Sequence, residues 1–149
     1  MYQIGNISDD FVTCDNEQQF KKLYCVSRLK RSTPALPEQK IFCIETEETV
    51  AGFPDVMELE TSRFNGCLVT TARFYEFKIS DKNGNIKFQP TQPSFYKQND
   101  ELDIKVVAYN RSSRRVHLFN AREIFDRMSP YNSTNGRINL TEVERSIGV

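Results

Sequence analysis

No apolar run in this 149-residue chain approaches the roughly 18 residues of a membrane-spanning helix, and the opening Met-Tyr-Gln-Ile-Gly-Asn lacks a basic stretch followed by an apolar core. The expectation is a soluble chain that no membrane holds and that is not exported, hence cytoplasmic. Histidine is scarce, with His117 alone, and the four cysteines (Cys14, Cys25, Cys43, Cys67) form no Cys-x-x-Cys, which argues against a zinc site. In an intracellular chain these cysteines are expected to be reduced and mostly buried. Net charge is missing too, because 20 basic residues balance 20 acidic ones. Nucleic-acid binders are often strongly basic, so any such surface here has to be local. Internal repeats and low-complexity blocks are also absent.

What is present suffices for one compact domain over residues 1–149, since 38% hydrophobic content at this length supports a single sizeable core. The chain is organised around Gly52–Ser80. Asn65-Gly66 is a strong hairpin signal, because a two-residue type I′ turn needs positive φ twice. With Phe64 facing Cys67, later cross-strand partners sum to 131, and Asp55 lies opposite Glu76. Directly opposed residues share a face with Cβ atoms about 4.5–5.5 Å apart, where like charges repel, so something has to offset the repulsion. Alternation along the second strand puts Phe74, Glu76, Lys78 and Ser80 on one face and Tyr75, Phe77 and Ile79 on the other. Two carboxylates and an ammonium on one side of a hairpin suit a divalent cation, since Mg²⁺ is commonly held by one or two carboxylates plus waters and phosphate. The first strand is less tidy, and a bulge in it would shift this register.

Pro54-Asp55 and Glu76-Phe77-Lys78 resemble the PD-(D/E)xK nuclease superfamily, closest to virus-type replication-repair nuclease modules and Holliday-junction resolvases. Members of these groups also place a glutamine on a helix soon after ExK, where Gln92 stands here. The likeness runs from about Ala51 to Phe119. It implies an α/β, restriction-endonuclease-like core with a mixed central sheet flanked by helices. The implied activity is Mg²⁺- or Mn²⁺-dependent hydrolysis of DNA phosphodiester bonds. In that reading Asp55, Glu76 and the Phe77 carbonyl hold metal, Lys78 orients or deprotonates water, and Gln92 positions water or phosphate. Resolvase-like members carry a further metal-site glutamate on the first helix, where Glu17 stands. Glu45, Glu47 and Glu48 are the other candidates for a third acidic ligand. The likeness also implies a homodimer on branched DNA, with Lys21, Lys22, Arg28, Arg111, Arg114 and Arg115 as phosphate contacts, and it admits a phage origin.

The rest of the chain reads as follows. Asp15 with Gln18 resembles a capping box for a helix over about Asn16–Lys30. Ser32–Glu38, with two prolines, is a connector, and Lys40–Thr46 is a strand. Asn83-Gly84 marks a turn, after which Ile86–Gln89 is expected to pair with the end of the ExK strand. A short helix begins at Thr91 or Gln92, either of which can cap it, and ends near Asp100. Ile104–Tyr109 and Arg115–Phe119 form a second hairpin, with His117 structural or exposed. Asn120 caps a helix to about Met128, Pro130–Gly136 is a polar loop, and Thr141 with Glu144 caps a final helix through Ile147.

Each site residue also has a plainer reading: Gln92 as a helix cap, Glu17 as an exposed first-turn glutamate, and the basic residues as a solvated face. Two other function classes stay open: a nuclease fold that binds without cutting, and a small α/β inhibitor or interaction protein. A metal-binding and a cleavage assay separate the three.

Overall fold

The computed structural model describes residues 3–6, 14–31, 40–46, 51–127 and 136–148, with backbone only for 3–6, 27–31, 40–43 and 126–127. Its strands are β1 (Gln3–Asn6), β2 (Lys40–Glu45), β3 (Val56–Phe64), β4 (Cys67–Ile79), β5 (Asn85–Lys87), β6 (Ile104–Asn110), β7 (Arg115–Asn120) and β8 (Arg137–Asn139). Its helices are α1 (Glu17–Arg31), α2 (Thr91–Gln98), α3 (Ala121–Arg127) and α4 (Leu140–Ser146). None of the described helices is long and apolar enough to cross a membrane.

Asn65 and Gly66 take positive φ values of 49° and 78°, and Phe64 pairs with Cys67, so the two-residue turn forms as the sequence predicts. The pairing continues unbulged to Val56 opposite Tyr75, preserving the sum of 131. β2 pairs antiparallel with β3, and β6 lies on the other side of β4, parallel to it, with Glu76 beside Val106 and Lys78 beside Ala108. β7 closes back antiparallel on β6. These five strands run in chain order across a mixed sheet, and β1 adds a sixth at the β7 edge, a strand the sequence did not announce. The fold is therefore α/β, with helices against both faces of a mixed sheet.

Alternation separates two cores. Tyr75, Phe77, Val107 and Tyr109 face α1, whose Phe20 meets the Phe77 ring edge-on at 5.7 Å. Val106, Ala108 and Phe119 face the opposite way and pack with Phe95 of α2, Ile124 of α3 and Val143 of α4. Both faces of β4 are thus covered near its C-terminal end. Glu76 and Lys78 are therefore buried there along with Tyr75 and Phe77.

Several boundaries differ from the sequence expectation. Asn16 rather than Asp15 caps α1, accepting from the Gln19 N–H, while the Gln19 side chain returns to the Asp15 N–H. The α2 N-cap position is Pro90, with no side-chain cap, so neither Thr91 nor Gln92 serves as one. β5 pairs with β8 and not with the end of β4, because Ile86 and Ile138 can then enter the core together. Asn139 caps α4 through the Glu142 N–H, in place of Thr141. Glu144 is turned inward instead, where Asn110 donates to it at 2.6 Å, Ser113 donates to its other oxygen, and fully buried His117 lies 3.5 Å away. Burial lowers the His117 pKa, while Glu144 pulls it up. Cys14 is buried, Cys25 half-buried and Cys67 exposed, all as thiols, and the Cys43 side chain lies outside the described residues.

Candidate metal-dependent active site

Asp55 precedes the first residue of β3 and is set there by its own loop. Gly52 has φ +86°, and a Cβ on it would stand 2.2 Å from the Thr91 carbonyl oxygen, so only glycine lets this loop lie against α2. Phe53 then packs edge-on between Phe74 and Phe95, at 5.7 and 5.4 Å. The Asp55 carbonyl accepts from the Thr46 N–H at 2.9 Å. With β3 starting only at Val56, the Phe77 N–H has no ladder partner on that side, and it donates to Asp55 Oδ2 at 3.0 Å. The Phe77 carbonyl points to the same side, as in any extended residue.

Glu76 is 3% exposed and occupies the centre of the site. Its Oε1 accepts from Gln92 Nε2. Its Oε2 is buried with no hydrogen-bond partner. Loss of hydration above all, then the neighbouring Asp55 charge and further off Glu17, push the Glu76 pKa up to about 8, against the pull of Lys78. A buried oxygen without a donor is costly, and a group in that position calls for a functional explanation.

Lys78 donates from Nζ to Gln92 Oε1 at 3.0 Å, lies 3.9 Å from Glu76 Oε1, and sits 5.0 Å from the centre of the Phe88 ring. Gln92 Oε1 also accepts from the Gln89 N–H at 2.9 Å. Two donors on its oxygen and a carboxylate on its nitrogen leave the Gln92 amide one orientation. Asp55, Glu76, Lys78 and Gln92 therefore come together at one place, two from the hairpin strand, one from the loop before it and one from α2.

Glu17 joins them from the opposite core. Phe20 is pinned on Phe77, so the first turn of α1 is carried to the end of β4. There the Glu17 carboxyl comes close to the Ile79 backbone and lies within electrostatic reach of Lys78 and Asp55. The residue as a whole is exposed, yet its carboxyl loses hydration at the protein surface, which raises its pKa. Lys78 opposes the shift and Asp55 adds to it. Glu45 turns away, ion-paired with Lys21 and hydrogen-bonded by Gln18, which lowers its pKa. Glu47 and Glu48 lie outside the described residues.

The proposed phosphate contacts scatter. Lys21 is committed to Glu45, and Arg115 Nε lies 3.9 Å from Glu144. Lys22 is exposed on α1, and Arg111 and Arg114 are exposed in the β6–β7 turn, which the Arg111 N–H ties to Ser80 at the end of β4. The Arg28 side chain lies outside the described residues.

One residue escaped the sequence reading. Tyr96 follows Gln92 by four positions, so both lie on one face of α2. It is 2% exposed, its hydroxyl has no hydrogen-bond partner, and burial followed by the Glu76 and Asp55 charges raises its pKa well above the usual value. The i, i+4 spacing was the available signal. Tyr96 also lines a cavity of about 480 Å³ between α2 and α3, together with Leu102, Asn120 and Phe125.

Among the described residues no three His, Cys, Asp or Glu side chains form a ready-made metal cage. The donors do suit a hard cation that keeps several waters, because the unpartnered Glu76 oxygen belongs to a carboxylate that has the Asp55 charge as a neighbour. No family model, curated protein or solved structure matches this chain.

Proposed function

We propose that the chain is a metal-dependent DNA endonuclease with a restriction-endonuclease-like core, hydrolysing phosphodiester bonds with Mg²⁺ or Mn²⁺. The observation that carries this reading is the buried, unpartnered Oε2 of Glu76, set beside Asp55 and Lys78. Asp55, Glu76 and the Phe77 carbonyl would hold the cation, with Glu17 as the third acidic group. A bound cation would stabilise charge on the phosphate and lower the pKa of a water.

The chain's own residues supply the rest. Lys78 is held at 3.0 Å by Gln92, which leaves its remaining N–H donors to orient the attacking water and meet developing negative charge on a phosphate oxygen. Gln92 links Lys78 to Glu76, so the general acid-base group and the ligand keep their spacing. The Phe77 N–H keeps Asp55 aimed into the site. The order of helix, three-strand meander, helix and crossover strand agrees with the core that the resemblance implies.

Resemblance to resolvases extends the proposal to a C₂ homodimer on branched DNA, since one site per chain makes one cut and resolving a four-way junction takes two. The test is a Mg²⁺ or Mn²⁺ cleavage assay on duplex, flap, single-stranded and four-way-junction DNA, with sedimentation of the protein alone. Cleavage that needs the cation and is lost in Glu76→Gln supports the nuclease. Binding without cleavage would leave a nuclease fold that only binds. A monomer at micromolar concentration, cutting linear duplex as fast as junctions, removes the dimer and the junction and leaves the nuclease.

A further inference from the structure

Among the described residues, no further strand flanks the end of the β3–β4 hairpin: β2 accompanies β3 as far as Thr61, and β6 joins β4 from Phe74. Between them Arg63–Ala72 is exposed throughout, with Phe64 68% and Leu68 66% accessible. A bare two-stranded ribbon is marginally stable in water, and large apolar side chains at its tip suit contact with another molecule.

We propose that this ribbon is a duplex-gripping arm that enters the major groove about one helical turn from the cleavage site. The inference rests on the nuclease reading above. Three features favour nucleic acid as the occupant. The twelve residues Thr61–Ala72 carry one arginine and no acid, and four of them bear hydroxyls that can donate to phosphates. The apolar side chains occupy both faces, Phe64 with Cys67 and Val69 on one and Leu68 with Arg63 on the other. A flat interface with a second copy would cover only one of these faces, whereas a groove has walls on both sides. The reach also fits. From Glu76 to Gly66 is ten residues of strand, about 33 Å at the usual rise, against roughly 34–36 Å for a turn of duplex. A two-stranded ribbon is an element the major groove admits, where apolar side chains meet thymine methyl groups.

Strand rise and base-pair rise are both close to 3.4 Å, so arm length converts almost directly into base pairs. The test is cleavage at subsaturating DNA on duplexes extending from about 4 to about 20 base pairs on either side of the cut. Wild type is expected to gain roughly tenfold or more in kcat/KM as the duplex passes about 8–10 base pairs. Phe64→Ser with Leu68→Ser should cut every length at the short-duplex rate, with kcat at saturation unchanged. Both positions are exposed, so the fold should survive. Deleting Ser62, Arg63, Leu68 and Val69 removes two cross-strand pairs, keeps the Asn-Gly turn and the faces, and should move the threshold down by about two base pairs. Active variants with the wild-type length profile would overturn the arm and spare the nuclease. A variant that changes only sedimentation, from dimer to monomer, would reassign the arm to a second copy and overturn it likewise. A wild type that cuts no DNA overturns both readings.

Discussion

Glu76 and Glu144 are the same residue type, buried to the same degree at 3% and 4% exposure, and they are balanced in opposite ways. Glu144 has donors on both oxygens, Asn110 on one and Ser113 on the other, with Arg115 and His117 at 3.9 and 3.5 Å. Asn110 in turn donates to Thr141, and its side-chain Oδ1 accepts from the Ser112 N–H. That cluster fastens α4 to the β6–β7 turn. Glu76 keeps one oxygen without a donor and has Asp55 and Glu17 as electrostatic neighbours. Burial alone therefore does not separate a structural carboxylate from a functional one. The donors around each do, because both Glu144 oxygens are met while one Glu76 oxygen is not, and an unmet buried acceptor costs free energy that a proton or a ligand can offset.

The largest expected separation is in activity. Glu76→Gln and Lys78→Met should each lower Mg²⁺-dependent cleavage by on the order of 10²- to 10³-fold or more at unchanged fold, measured by single-turnover kinetics. Glu144→Gln should leave the rate per folded molecule near wild type. Equal losses at Glu76 and Glu144 would erase the distinction.

Stability should order the two the other way. Glu144→Ala removes the acceptor of the fully buried Asn110 amide and should cost about 2–3 kcal/mol, read from chemical denaturation. Glu76→Gln in metal-free buffer should cost nothing or stabilise, because it fixes the neutral form that the site favours. Asp55→Asn should likewise leave the apo melting temperature unchanged or raised, and Mg²⁺ should stabilise wild type but not this variant. Equal Mg²⁺ stabilisation of both would remove Asp55 from the ligands.

A smaller effect should appear with pH. The Glu76 pKa is raised from its ordinary 4.5 to about 8, so the folded protein holds a proton that the unfolded chain releases. Its stabilising contribution is complete below about pH 4.5 and is lost as pH rises to about 8. Metal-free wild type should therefore lose stability across that window, and Glu76→Gln should show a flatter profile. Parallel profiles would mean that Glu76 is already ionised in the apo protein.

The smallest effect expected is at Tyr96. Since its hydroxyl makes no hydrogen bond, Tyr96→Phe should change stability by less than about 1 kcal/mol, in contrast to any change in the Glu144 network. A large loss would show that the hydroxyl has a structural partner.

The hairpin and its consequences were legible in the sequence for a local reason. Asn65-Gly66 sets the turn, the period of two sets the faces, and Glu76 and Lys78 follow by counting, while Asp55, expected opposite Glu76, stands one residue before a ladder that ends at Val56 opposite Tyr75. The approximate span of α1 was also readable from its helical spacing. Other features depend on partners remote in sequence. β5 chose β8, fifty residues on, because both had an isoleucine to bury. The inward turn of Glu144 required Asn110 and Ser113, and only the fold brings these to it. By itself the sequence determined the β3–β4 register and the face of β4 that carries Glu76 and Lys78. The tertiary structure decided that Glu17 reaches these residues from the other core and that Glu45 does not. It also decided that one Glu76 oxygen is left without a donor, because hydration and electrostatic repulsion depend on every element packed around a group and not on its own strand alone.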